Sequence, residues 1–98
     1  MSKCKVVYTE EFYENLLLAK QYISFELGSP LTANRFVDGI LDVIDKKSCT
    51  PCIAAKRLTI ENVPCYVVSY KNWNIYYSVE NNVMKVLELT HQIQNRAR

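Results

Sequence analysis

Apolar residues recur at helical spacing in two segments of the first half of the chain. In the first segment the apolar and aromatic residues that form this stripe are Phe12, Tyr13, Leu16, Leu17, Ala19, Tyr22, Ile23 and Leu27. Because this spacing places them on one side of an α-helix, the pattern predicts an amphipathic helix. Thr9 can cap its amino end, where Glu10 and Glu11 complement the helix dipole. Gly28 suits a left-handed ending.

The second segment repeats the pattern after a short break. Its apolar positions are Ala33, Phe36, Val37, Ile40, Leu41 and Ile44. Pro30 is favourable in the first turn of a helix, and Lys46 and Lys47 complement the dipole at its carboxyl end. Two amphipathic helices joined by Gly-Ser-Pro form a helical hairpin, whose wide apolar stripes need a second layer to pack against.

Strand-like runs make up most of the remaining chain. Residues 5–8 form a brief strand candidate before the first helix. Residues 54–60 are a second candidate, because Leu58 and Ile60 alternate with Arg57 and Thr59. Residues 61–64 are predicted to turn. From 65 to 91, three runs rich in β-branched and aromatic residues are separated by Asn-containing breaks, which is typical of consecutive antiparallel strands.

The order of these elements predicts the fold class. A strand, a helical hairpin and then four strands indicate an α+β domain of two layers, with the hairpin packed on a mostly antiparallel β-sheet meander. At 98 residues we expect a single domain over residues 1–98.

Composition and charge change this picture little. Hydrophobic residues make up 49% of the chain and the formal net charge is +2, so the sequence is compact and globular but not strongly basic. Residues 53–98 carry 6 Lys/Arg against 3 Asp/Glu, which places the positive excess in the sheet half. This excess favours a polyanionic partner weakly, and an ordinary solvated surface explains it equally well.

The amino-terminal residues contain no signal-peptide core, and no apolar run approaches the length of a membrane span. We therefore expect a cytoplasmic protein with no membrane partner. In a reducing compartment the four cysteines are free thiols by default, and Cys4 and Cys65 lie in strand-like runs as small buried hydrophobes.

Cys49 and Cys52 form a single C-x-x-C pair in the loop after the second helix. A thioredoxin-like motif follows a strand and opens a helix, whereas this pair follows a helix and precedes a strand. One pair supplies two of the four ligands of a structural zinc, so His91, Cys4 or Cys65 would have to complete the site. We expect no metal and no cofactor; a loop disulfide formed during purification is the simpler interpretation.

The element order and several local motifs resemble the RelE/ParE family of toxins from bacterial type II toxin-antitoxin modules. The residues that carry the resemblance are 7–11, Leu16, Tyr22, Ile23, Pro30 and Ala33 in the first half, then 71–79 and 83–91 in the sheet. The resemblance implies a growth-inhibiting toxin whose partner is a cognate antitoxin. RelE-like members cleave mRNA on the ribosome without a metal, and ParE-like members act on DNA gyrase.

The resemblance also suggests candidate site residues. His91, the chain's single histidine, lies at the end of the last predicted strand and can give or take a proton near neutral pH. A structural role in capping the sheet end is an equal alternative. Tyr76 and Tyr77 are candidates for stacking or proton donation.

Cationic candidates for nucleic-acid binding are Lys56, Arg57 and Lys71. Neighbouring strand residues face opposite sides, and Arg57 alternates with Leu58, so we predict that Arg57 faces away from the core.

The chain departs from the RelE/ParE pattern at its arginines. Members of the family commonly have Tyr-Arg at the start of the first meander strand and an arginine shortly after the last strand, yet this chain has no arginine between Arg57 and Arg96. Phosphoryl-transfer charge is usually stabilised by arginine. The missing arginines favour a non-catalytic mechanism, either gyrase-directed or limited to binding the antitoxin or another protein, over ribonuclease chemistry.

Overall fold

The computed structural model describes residues 3–53 and 56–92. Two helices and five strands follow one another in the predicted order. They are β1 (Lys5–Tyr8), α1 (Glu10–Leu27), α2 (Pro30–Lys47), β2 (Lys56–Ile60), β3 (Val63–Tyr70), β4 (Trp73–Glu80) and β5 (Val83–His91). The expected strand over 54–60 begins at Lys56 within the described part of the chain.

The helices begin and end where the cap residues predict. The Thr9 side chain accepts a hydrogen bond from the Phe12 amide at 3.1 Å and caps α1. Gly28 ends α1 with a φ of 60°, in the left-handed region that favours glycine. Ser29 then caps α2 by accepting from the Thr32 amide at 3.2 Å. The hairpin is therefore encoded by local capping as well as by its apolar stripes.

All five strands form one sheet in the order β1-β5-β4-β3-β2. β2 to β5 pair as antiparallel neighbours, and β1 pairs with β5 in parallel. Left-handed residues form the turn at Glu61 and Asn62, so Val63 and Pro64 belong to β3. The prediction that both take part in the turn is wrong, because the two-residue turn is closed by Glu61 and Asn62 alone.

The helical hairpin covers one face of the sheet, with α1 over β5 and α2 over β3. This helix-side face and the hairpin share a core. Its fully buried members include Phe12, Ile40, Ile44, Ile75, Tyr77, Met84 and Val86. The two-layer α+β prediction is confirmed, and the opposite face of the sheet, called here the open face, has no helix on it.

The edge strands are shorter than the strands they flank. β1 pairs with β5 only from Val83 to Val86, and the described part of β2 pairs with β3 as far as Val67. Among the described residues (3–53 and 56–92), the remainder of β3, the beginning of β4 and the end of β5 therefore extend beyond both edge strands. We call this region, residues 68–75 and 87–91, the three-strand end.

Several residues assigned to the apolar stripe of α1 lie in solvent. Tyr13, Leu17 and Tyr22 are each more than half exposed, and Leu27 is 62% exposed. The stripe that packs on the sheet is the narrower set of Phe12, Leu16, Ala19 and Ile23. Neither helix in the described part of the chain is long and apolar enough to cross a membrane.

Gly39 on α2 provides a test of the packing between hairpin and sheet, because a β-carbon there would overlap the ring and hydroxyl of Tyr70. Alanine normally stabilises a helix by about 1 kcal/mol relative to glycine. Overpacking costs about 1–3 kcal/mol. We expect Gly39→Ala to lower the free energy of unfolding by about 1 kcal/mol in urea denaturation. In a Tyr70→Ala background the same change should be stabilising, and stabilisation in the wild-type background would contradict the packing described.

Candidate functional site

The helix-side face of the three-strand end is an aromatic cluster that includes His91. Tyr70, Trp73 and His91 lie side by side on β3, β4 and β5. The imidazole meets the Trp73 ring edge-on, with centroids 4.7 Å apart. Trp73 in turn packs on Phe36 of α2 at 5.2 Å. His91 is thus positioned by the same contacts that attach α2 to the end of the sheet.

A groove lies between α1 and the end of β5, where β1 no longer covers the strand. Here two side chains of the helical layer hydrogen-bond the β5 backbone. The Thr9 hydroxyl donates to the Leu87 carbonyl at 3.0 Å, and the side-chain carbonyl of Asn15 accepts from the Leu89 amide at 3.0 Å. The cavity measures about 500 Å³. Its lining consists of Asn15, Leu18, Ala19, Tyr22, Trp73, Leu89, Thr90 and His91. We call it the α1 groove.

A second cavity, of about 770 Å³, lies beside β3 and β4 near Lys56, the first described residue of β2. It is lined by Lys47, Lys56, Leu58, Val67, Val68, Ser69, Asn74, Tyr76 and Gln92. Within it the Asn74 side-chain oxygen accepts from the Ser69 hydroxyl at 3.0 Å and from the Gln92 side-chain amide at 3.2 Å. This edge cavity is polar and carries two lysines, in contrast to the mainly apolar α1 groove.

The strand pairing places His91 and Tyr76 on opposite faces of the sheet. His91 pairs with Trp73, and the Trp73 ring packs against α2 on the helix side. Tyr76 precedes the buried Tyr77 on the same strand, so its side chain points to the open face. The two candidates for proton transfer are therefore not brought together around one point.

Tyr77 does not belong to an accessible site. Its side chain is completely buried in the core, and its hydroxyl donates to the Pro51 carbonyl at 2.5 Å. Burial raises the pKa of the Tyr77 hydroxyl, and Cys52 and Tyr66 add to the shift. The prediction that Tyr77 stacks on a ligand or donates a proton to it is wrong, because no part of the ring reaches solvent.

The three cationic candidates are also separated. Arg57 pairs with Tyr66, which stacks on the buried Tyr77 ring at 5.7 Å. Arg57 therefore lies on the helix-side face, and the prediction of the open face is wrong. Leu58 pairs with the buried Cys65 and lies with it on the open face, so the apolar residue that was used to locate the core is itself on the open face.

Lys56 alone among these cations lines the edge cavity, together with Tyr76. Lys71 lies in the turn between β3 and β4, where its ammonium is 5.5 Å from the centroid of the Tyr70 ring. In the described residues no group of three or more His, Cys, Asp or Glu side chains could hold a metal ion.

Sequence reasoning missed the outer surface of α1. Leu18 is 63% exposed and Phe25 is 84% exposed, and Leu18 and Tyr22 line the α1 groove. The signal was present, since α1 carries apolar residues around most of its circumference instead of along one stripe. Such a helix is typical of an element covered on two sides.

Comparison with known proteins identifies relatives with this architecture. The family model of the ParE toxin of type II toxin-antitoxin system, parDE, matches residues 6–96. Among curated proteins no match is found.

Three solved structures share the fold at low sequence identity. They are the toxin-antitoxin complex RelBE2 from Mycobacterium tuberculosis (15% identity, TM-score 0.68, covering 93% of both chains), the chromosomal ParDE system from P. aeruginosa (12%, 0.66, covering 91% of this chain and 96% of that one) and the archaeal RelE-RelB complex from Pyrococcus horikoshii OT3 (17%, 0.62, covering 98% and 100%).

The role of the Tyr77 hydroxyl can be measured by removing it. Tyr77→Phe leaves the Pro51 carbonyl without this donor, so the free energy of unfolding at neutral pH should fall by about 1–3 kcal/mol. Tyr76→Phe is the matched control on the neighbouring, half-buried residue and should change stability by about 0.5 kcal/mol or less. Equal losses in the two variants would contradict the assignment of Tyr77 to the core.

The raised pKa of Tyr77 also predicts a dependence of stability on alkaline pH. The folded-state pKa lies above the unfolded value of about 10, so the folded state holds the proton more tightly. The resulting stability is fully present below the unfolded pKa and is lost as the pH rises toward the folded pKa. Urea denaturation of wild type should therefore show a decline above about pH 10 that is shallower in Tyr77→Phe. Parallel curves would show that Tyr77 does not contribute.

Proposed function

The chain belongs to the family of ParE toxins of type II toxin-antitoxin systems, and from this premise we propose that it inhibits growth by binding DNA gyrase and is neutralised by a cognate antitoxin. The family membership covers nearly the whole chain, from β1 to the end of the sheet. The choice of target and of mechanism is our inference from the geometry of the candidate residues.

The separation of His91 from Tyr76 is the observation that carries the mechanism. Cleavage of RNA by its own 2′-hydroxyl needs a base, an acid and cations within hydrogen-bond reach of one phosphate. Here the imidazole and the Tyr76 hydroxyl lie on opposite faces of a single sheet, and Tyr77 is buried. This arrangement supports a protein that acts by binding and not by catalysis.

The residue content of the sheet supports the same mechanism. RelE-like ribonucleases are expected to supply arginines to the phosphate, whereas the sheet from β3 to β5 contains no arginine. Its described cations are Lys71, at a turn, and Lys85, on β5. A ParE-like activity on gyrase makes no such demand on the chain, which is why we favour gyrase as the target.

The edge cavity supports a second candidate function. Lys47, Lys56 and Tyr76 line one opening, and an ammonium pair beside a phenol is suited to binding a phosphate and a base. On this alternative the open face binds mRNA on the ribosome, with Lys56 neutralising phosphate and Tyr76 stacking or donating a proton. His91 would then take no part in the chemistry.

We assign antitoxin binding to the α1 groove and the outer surface of α1. Leu18 and Tyr22 expose apolar surface beside a cavity whose polar groups are Asn15, Thr90 and His91. Exposed apolar patches of this kind are typical of protein-protein interfaces. The three similar structures are toxin-antitoxin complexes or systems, which supports a protein partner for this fold. Both the proposed partner and the proposed target place the protein in the cytoplasm.

The function is tested by inducing the chain alone and together with the small open reading frame that flanks it. Growth arrest that is relieved by the neighbour supports the proposal, and no effect of induction would contradict it. Primer extension on cellular mRNA separates the two mechanisms. We expect a DNA-damage response without new mRNA ends, whereas new ribosome-dependent ends would establish the second candidate.

The assignment of the antitoxin surface is tested by two charge substitutions on adjacent residues of α1. Leu18→Glu places a carboxylate in the α1 groove and should weaken antitoxin binding by about tenfold or more, since buried anchors commonly contribute over 1 kcal/mol. Leu17→Glu is the matched control, because Leu17 has similar exposure, 55%, but is turned away from the groove. The affinity of the Leu17→Glu variant for the antitoxin should change by less than about threefold.

Calorimetric titration with purified antitoxin measures both affinities, and circular dichroism verifies that each variant is folded. Equal weakening by the two substitutions would show that antitoxin does not distinguish the groove from the rest of α1. Greater weakening by Leu17→Glu would move the interface to the other side of the helix.

A further inference from the structure

The four cysteines fall into two structural classes. Cys4 and Cys65 are buried, at 8% and 0% exposure, whereas Cys49 and Cys52 are exposed and carry free thiols. The exposed pair lies in the loop between α2 and β2, three residues apart. Neither proposed activity nor antitoxin binding uses this pair.

The loop backbone curls on both sides of Thr50, which lies between the two cysteines. The Thr50 amide donates to the Lys47 carbonyl at 3.0 Å, and the Ile53 amide donates to the Thr50 carbonyl at 3.2 Å. These bonds close one turn over 47–50, which contains Cys49, and a second over 50–53, which contains Cys52. Residues three apart lie at most about 11 Å apart at Cα, and a disulfide spans about 4.4–6.8 Å between Cα atoms. A short, exposed and curled segment of this kind can close a disulfide with movement of the loop alone.

We propose that Cys49 and Cys52 form a reversible dithiol site that is oxidised to an intraloop disulfide by low-molecular-weight disulfides such as glutathione disulfide. One cysteine thiolate attacks a glutathione sulfur, forming a mixed disulfide and releasing one glutathione thiol. The second cysteine then attacks the protein sulfur of that mixed disulfide and releases the other glutathione. The protein loses two electrons and two protons, and the two released glutathione thiols carry them.

The loop contacts residues of the sheet, so a change in its redox state affects their surroundings. The Pro51 carbonyl, between the two cysteines, accepts from the hydroxyl of the buried Tyr77, and Cys52 raises the pKa of Tyr66. The loop also joins Lys47 to Lys56, both of which line the edge cavity. Closing the disulfide therefore restrains the segment that connects two cationic residues of this cavity.

The proposal is tested on the full chain by equilibration with glutathione buffers of defined ratio, followed by acid quenching, alkylation and intact mass measurement. We expect wild type to lose two alkylatable thiols with no glutathione attached, and to regain both when reduced glutathione is in excess. Cys49→Ser and Cys52→Ser should each stop at a single mixed disulfide. Cys4 and Cys65 should react only after denaturation.

Two results would overturn the proposal. Wild type that accumulates glutathione on Cys49 and Cys52 without closing a disulfide would show that the thiols do not meet. If wild type does not react in oxidising buffer under conditions in which both single variants form mixed disulfides, the two thiols likewise do not meet. The double variant Cys49→Ser/Cys52→Ser should take up no glutathione while folded, and uptake would assign the reaction to the buried cysteines.

A second readout follows the Tyr66 hydroxyl. Cys52 raises the pKa of Tyr66, so oxidation of Cys52 should lower that pKa toward its ordinary range. Tyrosinate absorbance measured against pH should differ between the reduced and oxidised protein, and the difference should be smaller in Tyr66→Phe. Identical titrations of the reduced and oxidised wild type would show that closing the disulfide does not change the surroundings of Tyr66 in the sheet.

Discussion

The unequal lengths of the strands are the constraint on which the rest of this structure depends. β1 and the described part of β2 each pair with only part of the strand beside them, so among the described residues the ends of three strands extend past both edges. An unpaired sheet edge leaves backbone amides and carbonyls that must find other partners. On β5 those partners are the Thr9 hydroxyl and the Asn15 side chain, which draw α1 alongside the strand and open the α1 groove between them.

The single-sided helical layer determines what the projecting end can do. Because α1 and α2 cover one face only, Trp73 packs on Phe36 and His91 packs on Trp73. Tyr76 and Asn74 remain on the open face. The β-sheet then lies between His91 and Tyr76, the two candidates for proton transfer. The same geometry leaves two different openings, one apolar beside α1 and one cationic beside β2, which suits a protein with two macromolecular partners.

Much of the fold could be predicted because its signals are local. Thr9, Gly28 and Pro30 encode the helical hairpin through capping and backbone preference, and the Asn-containing breaks encode the turns of the meander. The site was less predictable, because the face on which a strand residue lies depends on its pairing. Arg57 alternates with Leu58, yet its register with Tyr66 places it on the helix side. A shift of one residue in phase reverses every such assignment.

Inhibition of DNA gyrase by the purified chain is the measurement that tests this account most directly. Relaxed plasmid, gyrase and ATP are incubated with increasing amounts of the protein, with and without its antitoxin, and a parallel reaction contains programmed ribosomes instead. The account predicts that supercoiling is lost as the protein is added, that antitoxin restores it, and that the ribosomal mRNA remains intact. Unchanged supercoiling together with cleaved mRNA would contradict it.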